Sequence, residues 1–183
     1  MLSPKEKEEA IRLAKVAIAQ KLGFEITLPK LSKSFLCKNG CCFVTLYKNE
    51  ELRGCIGSFI QRPLAEAIKE NAILAAFSDP RFPPLTSKDF SNVKIEISIL
   101  SNFKKLNYKS TSDLLEKLAN LKPGVIISYS GKQATFLPQV WEQLQEPADF
   151  LSHLCLKANL NPFIWKHRKL DILIYKAEII QEK

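Results

Sequence analysis

The sequence predicts an α+β fold in which a mostly antiparallel sheet is flanked by helices. Two pairs of β-branched and aromatic segments are each joined by a short polar turn, at residues 48–51 and 131–132, as is typical of β-hairpins. Segments with an apolar residue at every third or fourth position separate the hairpins, and this period indicates helices. Because strands and helices do not alternate regularly, the pattern argues against a parallel sheet.

The first predicted element is a helix that begins at Pro4, since proline suits the first helical position. Ser3 can accept a hydrogen bond as the N-cap, and Glu6 completes a capping box. Gly23 ends the helix. Residues 24–40 carry proline and glycine and have mixed polarity, so we expect a mostly irregular connection there.

The first hairpin joins CCFVTLY, residues 41–47, to LRGCIGSF, residues 52–59. A helix follows over residues 63–77, because Pro63 suits a first turn and apolar residues recur on one face. The stretch DPRFPPL, residues 79–85, cannot continue this helix, since its three prolines force extended backbone and remove amide donors.

The rest of the chain contains further strands and helices. Residues 93–100, VKIEISIL, alternate apolar and polar side chains and predict a strand with one face in water. The remaining elements are expected in this order: a short helix at 112–120, a hairpin made of GVIISYS and QATFL, a turn at PQVWEQ, an amphipathic helix at 147–160 and a strand at 170–180.

Size and charge limit the class of protein. The chain has 183 residues, enough for one core, and a formal net charge of +8, which favours anionic partners. The basic residues are scattered, and the short clusters at 104–109 and 166–169 favour solvated lysines over a nucleic-acid surface. No apolar run approaches the roughly 20 residues that span a bilayer. The charged N-terminus does not resemble a signal peptide, so we expect a cytoplasmic protein.

The cysteines do not follow a known metal or disulfide pattern. Their number is odd and no secretion signal accompanies them, which argues against a disulfide framework. No CxxC pair, glycine-rich nucleotide motif, HExxH or GxSxG is present, so we predict neither a metal site nor a cofactor. Nothing in the sequence places His153 or His167 beside a cysteine, which argues against cysteine-protease-like chemistry. The five cysteines are Cys37, Cys41, Cys42, Cys55 and Cys155.

Cys55 is the first candidate site residue. Strand alternation places Leu52, Gly54, Ile56 and Ser58 on one face of the strand and Arg53, Cys55, Gly57 and Phe59 on the other. If Leu52 and Ile56 enter the core, Arg53 and Cys55 point together to the opposite side, and a guanidinium beside a thiol favours the thiolate. Gly54 and Gly57 would let another backbone or a ligand approach closely, or would allow a bulge that re-aims the thiol. Two interpretations stay open: an exposed, activated cysteine or anion site, and a buried cysteine at a tight sheet crossing.

Two further stretches carry candidate residues. Asp79, Arg81 and Phe82 lie on a proline-stiffened loop, where placed charges often form binding sites. The alternative is a packed helix-exit loop in which Asp79 pairs with Arg81 or caps backbone. Gln139 is a polar candidate beside Trp141, although packing in the core is the favoured role of the tryptophan.

Three stretches stand out together in this order: LRGCIGSF, NAILAAFSDPRFPPL, and TFLPQVWEQL with FLSHLCLKANL. In this order and spacing they resemble the AMMECR domain family, whose stand-alone prokaryotic members are called AmmeMemoRadiSam system protein A. The resemblance covers nearly the whole chain and implies one domain over residues 1–183, with a larger and a smaller lobe and a cleft that LRGCIG lines. Asn159 replaces a glycine of the family, and asparagine tolerates a left-handed helix exit. The positions that match the family motifs include Arg53, Gly54, Cys55, Gly57, Asp79, Arg81 and Phe82.

The resemblance also implies partners, because family members occur beside Memo-type proteins and a radical S-adenosylmethionine enzyme. We therefore expect a site around Cys55 and Arg53 that binds or processes a small anionic substrate together with these proteins. Arg81 is a possible second anion contact. The alternative is a non-catalytic adaptor or protein-binding module that uses the same residues to shape a groove. Nucleic-acid binding through the net positive charge is the least favoured hypothesis.

Overall fold

The computed structural model describes residues 1–182 and has an α+β fold, as the sequence predicts. The chain divides into two compact units. The first unit comprises Met1–Leu100 together with the stretch that begins at Glu178, and the second unit comprises Ser101–Ala177. No helix within residues 1–182 is both long enough and apolar enough to cross a membrane.

Most predicted elements are present at or near their expected bounds. The helices are α1 (Pro4–Lys21), α2 (Lys33–Leu36), α3 (Leu64–Phe77), α4 (Ser87–Phe90), α5 (Thr111–Leu121) and α6 (Pro147–Lys157), with 3₁₀ turns at Pro138–Glu142 and Ile164–Lys166. The strands are β1 (Asn39–Lys48), β2 (Glu51–Gly57), β3 (Arg62–Pro63), β4 (Val93–Leu100), β5 (Lys104–Lys105), β6 (Gly124–Tyr129), β7 (Lys132–Phe136), β8 (Asp171–Tyr175) and β9 (Ala177–Gln181).

The first helix begins and ends as its sequence predicts. The Ser3 hydroxyl accepts a hydrogen bond from the Glu6 N–H at 3.3 Å, and the Glu6 carboxylate accepts one from the Ser3 N–H at 2.8 Å. Gly23 has a φ of +91°, which is favourable for glycine just beyond a helix. The following connection is irregular apart from the single turn of α2.

The first sheet has the strand order β2-β1-β4-β9, and β3 pairs with the start of β1. The strand β1 is antiparallel to both β2 and β4. Helices α1 and α3 pack against one face of this sheet and form a continuous apolar core with it. Because β1 and β4 are interior, β2 and β9 form the two edges of the sheet among the described residues.

The second unit has its own sheet and core. The strand order is β5-β8-β6-β7, and the pairs β5–β8, β6–β7 and β6–β8 are antiparallel. Trp141 stacks on Phe150 with the ring centroids 3.9 Å apart, and its indole N–H donates to the Pro123 carbonyl at 2.8 Å. The predicted core role of Trp141 is therefore confirmed. Asn159 follows α6 with a φ of 54°, which confirms the predicted left-handed exit.

The prediction of one strand over residues 170–180 was wrong. The segment divides at Lys176 into β8 and β9, and these strands belong to different sheets. The backbone groups of Lys176 are bound by Ser101: the Ser101 N–H donates to the Lys176 carbonyl at 2.8 Å, and the Ser101 hydroxyl accepts from the Lys176 N–H at 2.9 Å. Because Ser101 takes both groups, Lys176 does not continue either ladder.

The prediction that the polar face of residues 93–100 is in water was also wrong. Lys94 is exposed, but Glu96 and Ser98 are buried, with exposed fractions of 9% and 2%. The alternation itself is present, but β4 is an interior strand, and Gln181 from β9 donates to the Glu96 carboxylate at 2.9 Å. A polar side chain in an interior strand can be buried where neighbouring side chains satisfy its hydrogen bonds.

Candidate functional site

Strand β2 contains a β-bulge at Arg53. Its neighbours Leu52 and Gly54 lie opposite Tyr47 and Leu46, which are consecutive in β1, so Arg53 is an additional residue without a partner in the register. The sequence analysis placed Arg53 by strict alternation, and the bulge interrupts that alternation. The position of its side chain therefore follows from its contacts and not from its place in the strand.

Cys55 points away from the helical core. Gly54 lies opposite Leu46, a fully buried core residue, whereas Cys55 lies opposite Thr45 on the other face of the sheet. This confirms the predicted orientation of Cys55. The prediction that Leu52 faces the core was wrong, because the bulge places Leu52 opposite Tyr47, on the face of Cys55, where it is 40% exposed. Its side chain is half-buried, and the Sγ atom accepts a hydrogen bond from the Thr45 hydroxyl at 3.3 Å.

The two glycines of the hairpin allow other parts of the protein to approach. A Cβ atom on Gly54 would lie 2.2 Å from the Ala75 carbonyl oxygen of α3. A Cβ atom on Gly57 would lie 2.3 Å from the Phe43 ring. Of the alternatives raised by the sequence, close approach of the protein itself applies at both positions. The binding roles predicted for Gly54 and Gly57 remain predictions.

The loop after α3 binds the backbone of Cys55 through Asp79. The Asp79 Oδ2 atom accepts hydrogen bonds from the Cys55 N–H at 2.9 Å and from Arg81 Nη2 at 2.7 Å. Its Oδ1 atom accepts from the backbone N–H and Nε of Arg81 at 3.1 and 3.0 Å. Only 4% of Asp79 is exposed. The hydrogen bonds from Arg81, followed by the one from Cys55, hold the pKa of Asp79 well below its usual range despite the burial.

The same loop covers the free edge of β2. Arg81 Nη2 lies 3.5 Å from the Cys55 carbonyl oxygen, so side chains of the loop reach both backbone groups of Cys55. The pairing of Asp79 with Arg81 and the capping of backbone, which the sequence analysis raised as the structural alternative, are both present. These contacts fix the position of Cys55 relative to the loop.

Phe82 contacts two guanidinium groups. The Cζ atoms of Arg53 and Arg81 are 5.7 and 5.4 Å from the centre of its ring, within cation–π range. Arg53 also donates through Nη2 to the Pro83 carbonyl. The structure therefore brings Arg53, Phe82, Arg81 and Asp79 together beside the backbone of Cys55.

Arg53 differs from the other cations of this region. Lys48 pairs with Asp89 at 2.6 Å and Arg81 pairs with Asp79 at 2.7 Å. Among residues 1–182, no carboxylate lies within ion-pair distance of Arg53, and its buried Nη1 atom has no hydrogen-bond partner. A buried donor without an acceptor is costly, so this atom is the unsatisfied group of the site.

A row of polar side chains continues from the thiol across the first sheet. Cys55 and Glu96 both lie opposite Thr45, and Gln181 binds Glu96 from β9. We call Cys55, Thr45, Glu96 and Gln181 the polar row. Thr45 is 6% exposed and Glu96 is 9% exposed, so the two middle residues of the row are buried, whereas Cys55 is half-buried and Gln181 is exposed. A thiol, a hydroxyl and a carboxylate are thus placed side by side.

Tyr47 borders the polar row. Burial, and after it the negative charge of Glu96 and the proximity of Cys55, raise the pKa of Tyr47 above its ordinary value. The phenol is therefore protonated at neutral pH and able to donate a hydrogen bond. The sequence analysis missed Tyr47, Thr45 and Gln181. Simple antiparallel pairing from the turn would have placed Val44 opposite Cys55, because Thr45 reaches Cys55 only through the extra residue at Arg53.

Removal of the Glu96 charge tests the proximity of these groups. We expect Glu96→Gln to lower the pKa of Tyr47. In the variant this pKa stays above the ordinary value of a tyrosine, because burial is the larger cause of the shift. An ultraviolet titration of the phenols, with Tyr47→Phe to assign the transition, measures the change. Glu66→Gln on the exposed surface of α3 is the matched control and leaves the titration unchanged. An unchanged Tyr47 transition in Glu96→Gln contradicts the arrangement.

The remaining chemically interesting residues lie elsewhere. Gln139 is in the Pro138–Glu142 turn of the second unit, and its predicted binding role remains a prediction. Burial raises the pKa of both Cys42 and Cys155 to about 11, so these thiols are protonated at neutral pH, whereas Cys37 is exposed. No three His, Cys, Asp or Glu side chains in residues 1–182 are grouped as a metal site would require.

The fold and the site define an α+β protein with a half-buried cysteine in an edge strand that an Asp-Pro-Arg-Phe loop holds. The AMMECR1 family matches residues 11–180, and the chain belongs to this family. This confirms the resemblance noted in the sequence.

Relatives match along nearly their whole length. The chain is 37% identical to Protein MJ0810 of Methanocaldococcus jannaschii, with 100% of this chain and 92% of that protein covered. It is also 37% identical to Protein MK0488 of Methanopyrus kandleri, with 100% and 91% covered. Among solved structures, the uncharacterized protein PH0010 from Pyrococcus horikoshii matches with a TM-score of 0.86 and 31% identity, covering 100% of this chain and 94% of that one.

Proposed function

We propose that this AMMECR1-family protein binds a small anionic ligand beside Cys55, and that Arg53 is the cation that contacts it. The observation that carries the proposal is the buried Nη1 atom of Arg53, which has no acceptor among the described residues. An oxygen of a carboxylate or phosphate group would supply that acceptor. A hydrogen bond between two charged groups is about twice as strong as one between neutral groups.

The surroundings of Arg53 support binding of an anion. One guanidinium nitrogen donates to the Pro83 carbonyl, and the Cζ atom lies 5.7 Å from the centre of the Phe82 ring. These contacts hold the side chain in one orientation, so little further conformational entropy is lost when a ligand binds. Arg81 is less suitable as the main anion contact, because Asp79 already neutralises it.

Cys55 supplies the reactive atom in this proposal. Its thiol is half-buried, Thr45 donates a hydrogen bond to it, and Glu96 and the protonated Tyr47 lie close to Thr45. A ligand held by Arg53 would thus lie near a nucleophile, a carboxylate and a proton donor, which are the groups that acid–base and nucleophilic catalysis use. We propose that the ligand is a substrate shared with a Memo-type protein and a radical S-adenosylmethionine enzyme, the partners that the sequence resemblance implies.

A second candidate function is that of a protein-binding module. It is favoured by the internal pairing of Asp79 and Arg81, which bind each other and the backbone of β2. In this interpretation LRGCIG and the loop shape a surface, and Arg53 contacts a partner protein. The two functions make different predictions: in the first, a small anion reaches the thiol without a partner protein, and in the second it does not.

Alkylation with reagents of different charge tests the proposed anion site. We expect Cys55 to react about 5-fold faster with iodoacetate than with iodoacetamide, relative to the same ratio at the exposed Cys37, because a charge beside the thiol attracts the anionic reagent by about 1 kcal/mol. Arg53→Gln abolishes this preference. Inorganic phosphate slows the reaction of Cys55 with iodoacetate in the wild type but not in Arg53→Gln.

Arg62→Gln is the matched control, because Arg62 lies after the same hairpin but pairs with Glu70. It leaves the preference at Cys55 unchanged. Mass spectrometry after proteolysis resolves the individual cysteines. Equal reagent ratios at Cys55 and Cys37, or a preference that persists in Arg53→Gln, contradict the anion site and favour the protein-binding module.

A further inference from the structure

A small pocket of about 200 Å³ lies on the first sheet beside the polar row. Tyr47 and Lys94 are opposite each other in β1 and β4, and Glu96 follows Lys94 by two positions. By strand alternation, these side chains share the face of the sheet that carries Cys55. The pocket is smaller than the roughly 300 Å³ at which drug-sized ligands begin to fit, so it suits a small group. Its polar lining consists of Tyr47, Glu50, Lys94, Glu96, Gln181 and Glu182.

Glu96 is a buried carboxylate without a cation. Only 9% of the residue is exposed, and no basic side chain among residues 1–182 lies within ion-pair distance of it. The one hydrogen bond that its carboxylate accepts from a described residue comes from the neutral amide of Gln181 at 2.9 Å. The Thr45 hydroxyl donates to Cys55 instead. A carboxylate has about four acceptor positions, and a buried one is almost always paired, so Glu96 has acceptor capacity that the described residues leave unused.

The other charges around the pocket pair among themselves. Lys94 pairs with Glu50 at 3.4 Å, and Glu182 pairs with Lys15, which lies outside the pocket. Within residues 1–182, the charged side chains that line the pocket or pair with its lining are therefore three acidic and two basic, and Glu96 is the unpaired one. The pocket is locally negative although the whole chain has a formal net charge of +8. This charge complements a cation and disfavours an anion.

The acceptors of the pocket suit an ammonium group better than a metal ion. In the described part of the chain, no three His, Cys, Asp or Glu side chains are grouped as a metal site would require. The acceptors that line this pocket are of different kinds: the Glu96 carboxylate, the Tyr47 hydroxyl oxygen and the Gln181 amide oxygen, whose amide nitrogen already donates to Glu96. A primary ammonium group has three N–H donors and no acceptor, so it can use all of them.

We propose that this pocket binds an alkylammonium group, with Glu96 as its counter-ion and with Tyr47 and Gln181 as further acceptors. A small primary amine and a lysine side chain both carry this group. The inference rests on Glu96 and not on Arg53, so it is independent of the anion site. It adds a cation-binding site to the face of the sheet that carries Cys55.

Three probes with the same number of non-hydrogen atoms test the proposal on the full chain: n-butylammonium, tetramethylammonium and 1-butanol. We expect n-butylammonium to shift the amide NMR signals of Tyr47, Glu96 and Gln181 saturably at pH 7, with a dissociation constant on the order of 1–10 mM, as is reasonable for so small a ligand. Tetramethylammonium has the charge but no N–H donor, and 1-butanol has a donor but no charge. Each therefore binds at least about 5-fold more weakly. Recording in 150 mM NaCl screens attraction to exposed carboxylates.

Variants of the chain locate the site. We expect Glu96→Gln to weaken n-butylammonium binding at least about 10-fold, because the counter-ion is lost. Glu51→Gln is the matched control, since it removes the same charge from an exposed position of the same sheet outside the pocket, and it leaves binding unchanged. Lys94→Gln removes a like charge from the pocket and strengthens binding about 3-fold. Because Lys94 is outside the polar row, this variant tests the proposal even if Glu96→Gln does not fold.

The source of the ammonium group is tested separately. Lys183 lies outside the described residues, and we expect Lys183→Ala to leave n-butylammonium binding unchanged. Nα-acetyl-lysine N-methylamide supports a lysine side chain of a partner if it binds more tightly than n-butylammonium, and a free amine if it binds more weakly. The proposal is overturned if n-butylammonium causes no saturable shifts, if either of the other two probes binds as well, or if Glu51→Gln weakens binding as much as Glu96→Gln. It is also overturned if Lys183→Ala strengthens binding about 10-fold, because the chain's own lysine would then fill the pocket.

Discussion

Gly54→Ala is expected to destabilise the protein by about 3–5 kcal/mol, the largest effect of any substitution considered for the first hairpin. The added Cβ atom would lie 2.2 Å from the Ala75 carbonyl oxygen and 3.1 Å from its carbonyl carbon. These atoms belong to the backbone of α3, so no side-chain rotation relieves the clash. Either β2 or α3 must move, and both contribute to the core of the first unit.

Urea unfolding followed by circular dichroism measures this loss as a lower transition midpoint. Tryptophan fluorescence, recorded in parallel, reports on the second unit, which contains both Trp141 and Trp165. Gly40→Ala is the matched control, because a Cβ atom there would lie 3.6 Å from the tip of the Leu64 side chain, an ordinary contact. Equal midpoints for Gly54→Ala and Gly40→Ala would contradict the close approach of α3.

Asp79→Asn is expected to cost about 3 kcal/mol at pH 7, because the carboxylate is buried and accepts hydrogen bonds from Arg81 and Cys55. An asparagine of the same size keeps one acceptor oxygen but places an amide donor against these donors. The substitution also weakens the hydrogen bonds that hold Arg81, which, like its neighbour Phe82, is a predicted binding residue. The free energy of unfolding from urea titrations at pH 7 measures the cost.

The cost of Asp79→Asn should depend on pH. The pKa of Asp79 is lower in the folded protein than in the unfolded chain, mainly because of the Arg81 hydrogen bonds. The carboxylate therefore stabilises the fold fully above the unfolded-state pKa of about 3.9, and this contribution is lost as the pH falls below that value toward the folded-state pKa. We expect the difference between wild type and Asp79→Asn to shrink as the pH is lowered from 5 to 2.5.

Asp171→Asn is the control for this pH series. Asp171 pairs with Lys105 at the surface, where its side chain is 78% exposed, and such pairs contribute roughly 0–1 kcal/mol. A pH-independent difference between wild type and Asp79→Asn would show that Asp79 acts through packing and not through its charge.

The parts of the fold that the sequence predicted correctly depend on local patterns. The first helix is recognisable because Ser3, Glu6 and Gly23 mark its two ends, and both ends are as expected. The two hairpins were predicted because each is closed by a short polar turn between β-forming segments. In these cases, the residues that determine the structure are neighbours in the chain.

The errors arise where distant residues determine the structure. Lys176 interrupts a run of strand-forming residues only because Ser101 binds its backbone, and no local pattern in residues 170–180 shows this. Glu96 is buried because β9 lies beside β4, which depends on a pairing across 85 residues to Gln181. The bulge at Arg53 shifts the alternation by one residue, so that Leu52 and Cys55 lie on the same face, and no local pattern in LRGCIG shows this.

The candidate site was predicted in part. Cys55, Asp79 and Arg81 were singled out from their local sequence, and the structure brings them into contact. The sequence did not indicate that Asp79 would bind the backbone N–H of Cys55, since that contact depends on how α3 crosses β2. The roles of Arg53, Phe82 and Gln139 in binding remain predictions that the substitutions above can examine.

The division of the chain at Leu100 has a consequence for biosynthesis. The first unit is interrupted in sequence by the whole of the second unit. The Glu182 carboxylate accepts a hydrogen bond from the Ile95 N–H, although 87 residues separate the two. On the ribosome, β4 is therefore made long before β9, and its outer edge stays unpaired in the meantime. The hairpin and helices of the first unit can form early, but its sheet closes only after translation has passed through the inserted unit, and the nascent chain is most prone to aggregate during that interval.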